Sequence, residues 1–400
     1  MRVILAAAGG GLPGSMTQEC RDAVQKAACL IGAPRLLADL PEHGTARRVA
    51  ATRPQEILDT VRTVSEGTCV VLYSGDTGLY SGARLLVPLL AREHIPCTVL
   101  PGVSSVQLFA AAIQRPWQDW LIVSAHGVSC SPVGAVMQGK PVFFLTGTGQ
   151  GPAELCGELA QAGLGALRVT VGEDLGRPGQ RVTEGTAAEI AQQTFSPLSV
   201  LLAEPAPATV HRAPGFPDSF FVRGEVPMTK RDVRAAILAR LAPNPSDVLW
   251  DVGAGTGSVS VELALAAPWG RTYAIECEEK AIDLIRANRE KLGAWNLRPV
   301  HGKAPQALEP LEAPDGAFLG GTKGSMAEIV DWILARNPRA KLCISAICVE
   351  TLGRAVDALK AHGIEPEITQ VSVCGARAVG SLHMLTAQNP VFLIAGNCDA

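Results

Sequence analysis

Short apolar runs alternate with stretches of helical periodicity along almost the whole chain. Runs such as TCVVLYSG (68–75) and WLIVSAHG (120–127) are typical of strands buried on both faces. Helix-like stretches such as SGARLLVPLLARE (81–93) lie between them. The pattern predicts an α/β fold with mainly parallel sheets in both halves, whose ligands bind beyond the carboxyl ends of the strands. Near the end of the chain, EITQVSV (367–373) and HMLTAQ (383–388) follow each other without a helix, which predicts an antiparallel pair.

A proline-rich stretch divides the chain near its middle. Four prolines between Pro205 and Pro217 exclude a continuous helix and disfavour sheet pairing. A chain of 400 residues is also long enough for two domains, since a domain typically has about 100–200 residues. We therefore expect a first domain at 1–205, a linker at 206–218 and a second domain at 219–400.

Composition limits the classes of partner. The net charge is −3, so the chain is not the basic body that a nucleic-acid partner requires. No apolar stretch approaches the ~18 residues of a membrane span, and the first residues do not resemble a signal peptide. The eleven cysteines include no C-x-x-C pair, which favours reduced thiols and argues against a metal cluster. We expect a cytoplasmic protein with no metal, no membrane and no nucleic acid.

The most specific motif is a strand, a glycine-rich loop and a helix in the second half. The strand reaches Asp251, and Gly253, Gly255 and Gly257 follow it. A dinucleotide-binding loop reads G-x-G-x-x-G, whereas this loop reads G-x-G-x-G. The carboxylate before the loop would repel a pyrophosphate and attract a cationic amino group. The next strand ends at Glu276, where a carboxylate can accept hydrogen bonds from two ribose hydroxyls.

An aminoacyl group beside the glycine loop and a ribose on an acid describe S-adenosylmethionine. The order of these residues resembles the Rossmann-type (class I) methyltransferases. Further segments extend the resemblance to the decarboxylating precorrin methyltransferase domain of cobalamin biosynthesis, over nearly all of 215–400; these segments are VPMTK (226–230), HGKAPQAL (301–308), GAFLGGTKG (316–324) and AICVETL (346–352). The resemblance implies a mostly parallel seven-stranded sheet. It places Thr229, Asp251, Gly253, Ala254, Gly255, Thr256, Gly257, Glu276 and Ala304 around S-adenosylmethionine, and gives Lys303 no nucleotide contact.

The first half contains weaker loop motifs in a characteristic order. Each of GGGLPGS (9–15), SGDTGLYSGA (74–83) and PGVSSVQ (101–107) is by itself also compatible with a simple turn between strand and helix. Together with WQDWLIVSAHG (117–127) and GEDLGRPGQRV (172–182) they resemble the tetrapyrrole methylase family over most of 1–205. That family has two α/β subdomains and also binds S-adenosylmethionine. The resemblance places Pro13, Asp76, Gly102, Ser104 and Ser105 in its cleft.

The combination of the two folds resembles the bifunctional precorrin-6Y (precorrin-6B) methyltransferase family. Its members methylate carbons 5 and 15 of the precorrin and decarboxylate the ring C acetate. The resemblance implies one S-adenosylmethionine per domain and a tetrapyrrole substrate with many carboxylates. Because the chain is net acidic, local cations must bind those carboxylates. The candidates are Lys230, Arg231 and Lys323. The residues single out no catalytic base; Glu350 and His383 are the only suggestions in the second half.

Two other interpretations stay open. In the first, the chain is a methyltransferase that acts on another substrate, such as RNA or a different tetrapyrrole. In the second, the first domain has lost its catalytic activity. A domain without catalysis would hold substrate or mediate oligomerisation, and the altered first-half loops permit this. AAAGGGLPGS stands where the family has forms like V-G-I-G-P-G, and AHGVSC has no arginine soon after H-G. We expect a homo-oligomer in either case.

Overall fold

The computed structural model describes residues 2–10, 13–40, 46–147, 149–207 and 213–398. These residues divide into two compact units. The first unit contains the chain up to residue 130 with 140–157 and 166–204, and the second contains 131–139, 158–165 and the chain from 205 onward. Each unit has its own sheets. No helix in the described ranges has the length and apolar composition that crossing a membrane requires.

The first sheet of the first unit is parallel throughout, as predicted. Its strands are β1 (Arg2–Ala7), β2 (Cys29–Gly32), β3 (Arg47–Ala50), β4 (Thr68–Tyr73) and β5 (Cys97–Leu100). Their order across the sheet is β3-β2-β4-β1-β5. The helices along this stretch are α1 (Gln18–Gln25), α2 (Pro34–Ala38), α3 (Pro54–Arg62), α4 (Ala83–Arg92) and α5 (Ser105–Ala112).

The second sheet of the first unit is mainly antiparallel. Its strands are β6 (Leu121–Ser124), β7 (Val142–Leu145), β8 (Arg168–Glu173), β9 (Arg181–Thr186) and β10 (Ser199–Ala203), in the order β6-β7-β10-β8-β9. Only β6 and β7 pair in parallel, so the prediction of mainly parallel strands is wrong for this sheet. Antiparallel strands need no crossover helix, and β8 joins β9 without one. The helices of this stretch are α6 (Pro132–Val136), α7 (Pro152–Leu159) and α8 (Ala187–Ile190).

The second unit contains the predicted seven-stranded, mostly parallel sheet. Its strands are β11 (Val248–Val252), β12 (Arg271–Glu276), β13 (Leu297–His301), β14 (Gly316–Leu319), β15 (Lys341–Ala346), β16 (Glu367–Val371) and, after a hairpin of β17 (Cys374–Val379) and β18 (Leu382–Ala387), β19 (Val391–Gly396). The order is β13-β12-β11-β14-β15-β19-β16, and the two pairs that β19 makes, with β15 and with β16, are antiparallel while the other pairs are parallel. The helices are α9 (Arg231–Leu241), α10 (Ser258–Ala266), α11 (Glu279–Leu292), α12 (Met326–Arg336) and α13 (Val349–Lys360).

The expected antiparallel pair near the chain end has different partners. β16 pairs with β19, and β18 pairs with β17. Each of the two runs is a strand, but a run of β-forming residues does not specify which neighbour it bonds.

Both faces of the seven-stranded sheet are buried, as the continuous apolar strands predict. Leu249 and Phe318 pack with α9 and α10 on one face. Trp250 and Ile344 pack with α12 and α13 on the other. Successive strand residues point to opposite faces, so a strand covered on both sides is apolar along its length. The carboxyl ends of the strands, left uncovered by this packing, form the edge on which the site described below is built.

Candidate functional site

A cavity of about 680 Å³ opens in the second unit at the carboxyl ends of β11, β12 and β14. β12 lies on one side of β11 and β14 on the other, so the loops that follow these strands diverge and leave a crevice. Five chain segments contribute most of the wall; they are 226–230, 252–255, 275–278, 302–304 and 320–323.

The glycine loop after β11 can be built only with glycine at its first and last positions. Gly253 has a φ of +76°, and a Cβ placed on it would lie 2.3 Å from the carbonyl oxygen of Gly321. Gly257 has a φ of +73°, and its Cβ would lie 2.9 Å from the side chain of Ile285. Side chains other than glycine rarely adopt such φ values. The loop therefore packs directly against the loop after β14 and against α11.

Glu276 lies at the end of β12 and lines the cavity. Its Oε2 accepts a hydrogen bond from the Gly255 amide at 2.9 Å. Its Oε1 accepts from the amides of Cys277 at 2.7 Å and Glu278 at 3.1 Å. A carboxylate oxygen can accept two hydrogen bonds, so Oε2 keeps capacity for a ligand hydroxyl. The same side chain both fixes the glycine loop and faces the cavity.

Asp251 is buried and is not part of the cavity lining. Its Oδ2 accepts a hydrogen bond from the Ser260 hydroxyl, while Oδ1 has no partner among the described residues. Burial raises the pKa of the Asp251 carboxyl to about 7. Thr256 and Gly257 likewise do not line the cavity. Six of the residues predicted to bind S-adenosylmethionine, the methyl donor, do line the cavity; they are Thr229, Gly253, Ala254, Gly255, Glu276 and Ala304.

A buried ion pair holds the segment that carries Thr229. Arg234 is fully buried, and its Nε donates to Glu262 Oε1 at 2.7 Å. The Arg234 guanidinium also donates to the carbonyl of Thr229 and to that of Phe216. Glu262 accepts from the amides of Gly215 at 2.6 Å and Phe216 at 3.1 Å. The sequence analysis missed this pair; its only signal was a charge on an otherwise apolar helix face.

A second cavity, of about 470 Å³, lies in the first unit. Residues from both sheets of the unit line it, because the loops after β1 and β4 face residues of β6, β7 and β10. Of the residues that the resemblance places in the cleft, Asp76, Ser104 and Ser105 line this cavity. Gly102 does not. Pro13 begins a short 3-10 turn, Pro13–Ser15, but its side chain lies outside the described residues.

Asp76 connects two loops of the first unit. Its Oδ1 accepts from the Gly78 amide at 2.7 Å, and its Oδ2 accepts from the Gly102 amide at 2.9 Å. A Cβ on Gly102 would lie 2.4 Å from the Cβ of Ala7, so this approach also requires glycine. Asp76 therefore holds the loop after β5 close to the end of β1, beside the cavity.

Ser104 precedes α5 and is 4% exposed. Ser104 and Gln107 form a capping box, in which the Ser104 amide donates to Gln107 Oε1 at 2.7 Å and the Ser104 side chain accepts from the Gln107 amide. A hydroxyl that accepts a hydrogen bond still has its own hydrogen to donate, so Ser104 can donate to a ligand atom in the cavity.

Two family models together cover most of the chain. Residues 2–191 match the Tetrapyrrole (Corrin/Porphyrin) Methylases, and residues 218–396 match the Precorrin methyltransferase domain. The Precorrin-6Y C(5,15)-methyltransferase (decarboxylating) of Mycobacterium tuberculosis is 31% identical over 327 residues, which are 80% of this chain and 80% of that relative. The chain belongs to the precorrin-6Y C(5,15)-methyltransferase family.

Other similar proteins cover smaller shares. The enzyme of the same name from Sinorhizobium sp is 37% identical over 63% of this chain, and the match spans 62% of that relative's length. The probable cobalt-precorrin-6B C(15)-methyltransferase (decarboxylating) of Pyrobaculum calidifontis is 40% identical over 46% of this chain and 96% of its own length. A crystal structure titled precorrin-6y C5,15-methyltransferase from Geobacter metallireducens is 33% identical, with a TM-score of 0.45 over 46% of this chain and 98% of that chain.

Some of the basic and acidic residues singled out from the sequence of this precorrin-6Y methyltransferase family member line the second-unit cavity, and others do not. Lys230 and Lys323 line the second-unit cavity, whereas Arg231 does not. Lys303, which was given no nucleotide contact, is also in the lining. Glu350 and His383 are exposed and lie outside it. Within the described ranges, no three His, Cys, Asp or Glu side chains gather as a set of metal ligands.

Proposed function

We propose that this chain is a bifunctional C-methyltransferase that uses S-adenosylmethionine and acts on a precorrin in cobalamin biosynthesis. It methylates carbons 5 and 15 of precorrin-6Y (precorrin-6B) and decarboxylates the ring C acetate. The observation that carries the proposal is a ligand-sized cavity in each unit, in a chain that matches two methyltransferase families one after the other. We assign one methylation to residues 1–205, and the other with the decarboxylation to 219–400.

The lining of the second-unit cavity fits S-adenosylmethionine. Residues 253–255 carry no bulky side chain, so the aminoacyl part can approach their backbone. Glu276 offers Oε2 to the ribose hydroxyls, since only one backbone amide occupies that oxygen. Ala304 leaves room for the adenine, and Thr229 contributes a hydroxyl from the segment that Arg234 holds. Asp251, Thr256 and Gly257 act from behind the lining by shaping the glycine loop.

The first-unit cavity takes a second S-adenosylmethionine. The Ser104 hydroxyl caps α5 and can still donate its own hydrogen there, and Ser105 lies next to it in the lining. Asp76 contributes mainly by fixing the loops, because backbone amides already bond both of its oxygens. The second hydrogen-bonding position of each oxygen stays available to a ligand. The expected stoichiometry is one donor per unit.

The chemistry needs little from the protein beyond position. When bound, S-adenosylmethionine supplies an electrophilic methyl group on a sulfonium. The nucleophile is an electron-rich meso carbon of the substrate, so a carbon–carbon bond forms as the carbon–sulfur bond breaks. In the decarboxylation, carbon dioxide leaves, its electron pair enters the macrocycle and a proton later takes its place. The residues of each cavity hold the reacting atoms in line and exclude water.

Lysines that line the second-unit cavity can bind the carboxylates of the substrate. Lys323 donates to Glu278 Oε1 at 2.7 Å, and this hydrogen bond raises the pKa of Lys323. Both side chains are more than half exposed, so the pair is weak and exchangeable. A substrate carboxylate can replace Glu278 without leaving a buried charge unpaired. Lys230, 3.9 Å from Asp218, has similar freedom, and Arg231 serves at the rim.

We place the enzyme in the cytoplasm as a homo-oligomer, with no nucleic-acid or membrane partner. The β17–β18 hairpin supports association, because all its residues are exposed and Leu382 and Leu385 are each 73% exposed. A two-stranded hairpin is marginal in water by itself. A second copy of the chain would cover these side chains, and light scattering on the full chain measures the assembly.

Mass and NMR analysis of the reaction product tests the proposed function. The full chain is incubated with enzymatically prepared precorrin-6Y and methyl-labelled S-adenosylmethionine. We expect a product with two labelled methyl groups and one carboxyl fewer. A parallel incubation with RNA should give no labelled product. Label in RNA and none in the precorrin would overturn the proposal. A product with a single label, and one donor bound per chain in calorimetry, would show that the first unit has lost catalysis.

A further inference from the structure

A cluster of two arginines and one aspartate lies at the first-unit cavity. Arg177 Nη2 lies 2.6 Å from Asp39 Oδ2, and Arg35 Nη1 lies 3.9 Å from the same oxygen. Both arginines line the cavity. We call Arg35, Asp39 and Arg177 the arginine cluster. It contains two positive charges and one negative charge.

Hydrogen bonds to the chain fix the position of both guanidinium groups. Arg177 Nε donates to the carbonyl of Gly10 at 3.1 Å, in the loop after β1. Arg35 Nη2 donates to the Ser74 hydroxyl at 3.3 Å, at the end of β4. The Arg177 side chain is 19% exposed and that of Arg35 is 37% exposed. Among the described residues, Ser74 accepts from one of the five N–H donors of Arg35 and Asp39 lies beyond hydrogen-bond distance, so the other donors can bind a ligand.

Among the described residues, Asp39 is the acid that pairs with both arginines, so the arginine cluster carries a net charge of +1. Burial, and after it the neighbouring Arg177, lower the pKa of Arg35, as expected for two guanidinium groups brought together. Two other acids line the cavity, but neither neutralises this charge in the described residues. Asp76 accepts from the Gly78 and Gly102 amides, and Asp174 forms no ion pair with either arginine. An anion that enters the cavity therefore meets an oriented guanidinium whose charge Asp39, shared with Arg177, offsets only in part.

We propose that the arginine cluster is a carboxylate-binding subsite that anchors one carboxylate side chain of the tetrapyrrole during methylation in the first unit. The inference rests on the proposed function and adds the residues that hold the substrate there. Arg35 binds the carboxylate, since a guanidinium presents paired N–H donors that match two carboxylate oxygens. Arg177 is a positioning residue that holds the Gly10 loop at the cavity wall, and Asp39 offsets part of the positive charge of the two arginines.

Arg35→Gln tests the direct contact. Full-length enzyme is assayed for methylation at carbon 5, which we assign to the first unit, with precorrin-6Y as the varied substrate. We expect KM to rise about tenfold with kcat nearly unchanged, as for the loss of one charge-assisted contact. The affinity for S-adenosylmethionine in calorimetry should not change. Arg35→Lys keeps the positive charge but not the paired N–H donors, so its KM should lie between those of Arg35→Gln and the wild type.

Asp39→Asn should change KM in the opposite direction, and a purely structural role for Asp39 would not produce that change. Removing the negative charge leaves two positive charges for the substrate, so KM for precorrin-6Y should fall below the wild-type value. A purely structural role for Asp39 predicts a lower unfolding temperature and no tighter substrate binding. Arg92→Gln is the matched control, because Arg92 is an exposed arginine of α4 outside the cavity lining. Its KM should equal that of the wild type.

Three results would overturn the inference. The first is an unchanged KM in Arg35→Gln while the wild type methylates precorrin-6Y. The second is weaker binding of S-adenosylmethionine with an unchanged KM, which would assign the arginine cluster to the carboxylate of the donor. The third is a raised KM in Asp39→Asn. If Arg35→Gln fails to fold, Arg35→Lys and Asp39→Asn decide the question. A wild-type enzyme without any activity on precorrin-6Y would instead refute the proposed function.

Discussion

The two cavities of this chain bring backbone loops together in different ways. In the second unit, the loop after β11 packs on the backbone of the loop after β14, at Gly253 and Gly321. In the first unit, the loop after β5 packs on a side chain, at Gly102 and Ala7. Both arrangements require glycine, but only a side-chain contact can be relieved by changing the neighbour. Two loops that are packed equally closely can therefore differ in whether a second substitution restores what a glycine-to-alanine change disrupts.

Gly253→Ala should have the largest effect. Its Cβ would lie 2.3 Å from a backbone oxygen, and alanine rarely adopts a φ of +76°. We expect S-adenosylmethionine binding in the second unit to fall below detection in calorimetry, while binding in the first unit persists. Gly353→Ala is the matched control, since Gly353 lies within α13 with no atom near its Cβ position. Normal donor affinity in Gly253→Ala would contradict this account of the loop.

Glu276→Ala should weaken donor binding in the second unit by roughly one to two powers of ten, because charge-assisted hydrogen bonds contribute about 1.5–3 kcal/mol each. The first unit should be unaffected. Competition with adenosine and 2′,3′-dideoxyadenosine separates ribose binding from loop anchoring. The wild type should prefer adenosine, and the variant should lose that preference. A preference that persists in Glu276→Ala would place the ribose elsewhere.

Gly102→Ala should have a moderate effect that a second change reverses in part. The new Cβ meets the Cβ of Ala7 at 2.4 Å, which displaces the loop that Asp76 holds. We expect weaker donor binding in the first unit, by about tenfold if the displacement costs about 1.4 kcal/mol. Ala7→Gly in the same chain removes the nearest obstructing atom and should restore part of the affinity, because the Gly75 carbonyl oxygen, 3.0 Å from the new Cβ, remains. Gly253→Ala has no such rescue, and failure of the rescue here would remove the contrast between the units.

Asp251→Asn should have the smallest effect on the binding of S-adenosylmethionine, because Asp251 lies outside the cavity lining, and should instead change the pH dependence of stability. Burial raises the folded pKa to about 7 from 3.8, so the folded state binds the proton more firmly than the unfolded chain. The free energy of unfolding therefore falls as pH rises from about 4 to 7, by up to about 1.4 kcal/mol per pKa unit. Without S-adenosylmethionine, the variant should be more stable than the wild type at pH 8, and the difference should shrink as the pH falls toward 4. Asp283→Asn, on the exposed face of α11, should show no such difference.

The sequence predicted features that short stretches determine. The glycine loop and the seven-stranded sheet follow from local periodicity and glycine spacing, and both are present. The antiparallel second sheet of the first unit was not predicted, because a strand buried on both faces carries no sign of its direction. Asp251 was expected beside the donor but is buried outside the cavity, and sequence alone does not show which side of a loop a strand residue faces.

The missed residues are those whose partners lie far away in the chain. Arg35 and Arg177 become neighbours only when the loops of the first unit assemble. Arg234 belongs to α9 and Glu262 to α10, and burial of the pair follows from the packing of α9 on α10. No spacing rule connects such positions. Their signal would be a charged residue on a helix face that is otherwise apolar.

The buried Glu262 has a consequence for where the second unit can be separated from the first. Its carboxylate is satisfied by Arg234 and by the amides of Gly215 and Phe216, and Phe216 itself is 1% exposed. A fragment that starts at residue 219 keeps the guanidinium but loses both amides and the aromatic ring. A buried charge that loses its partners costs several kcal/mol. The last residues of the proline-rich stretch are thus part of the packing of the second unit. A fragment made to express the second unit alone should begin before Gly215.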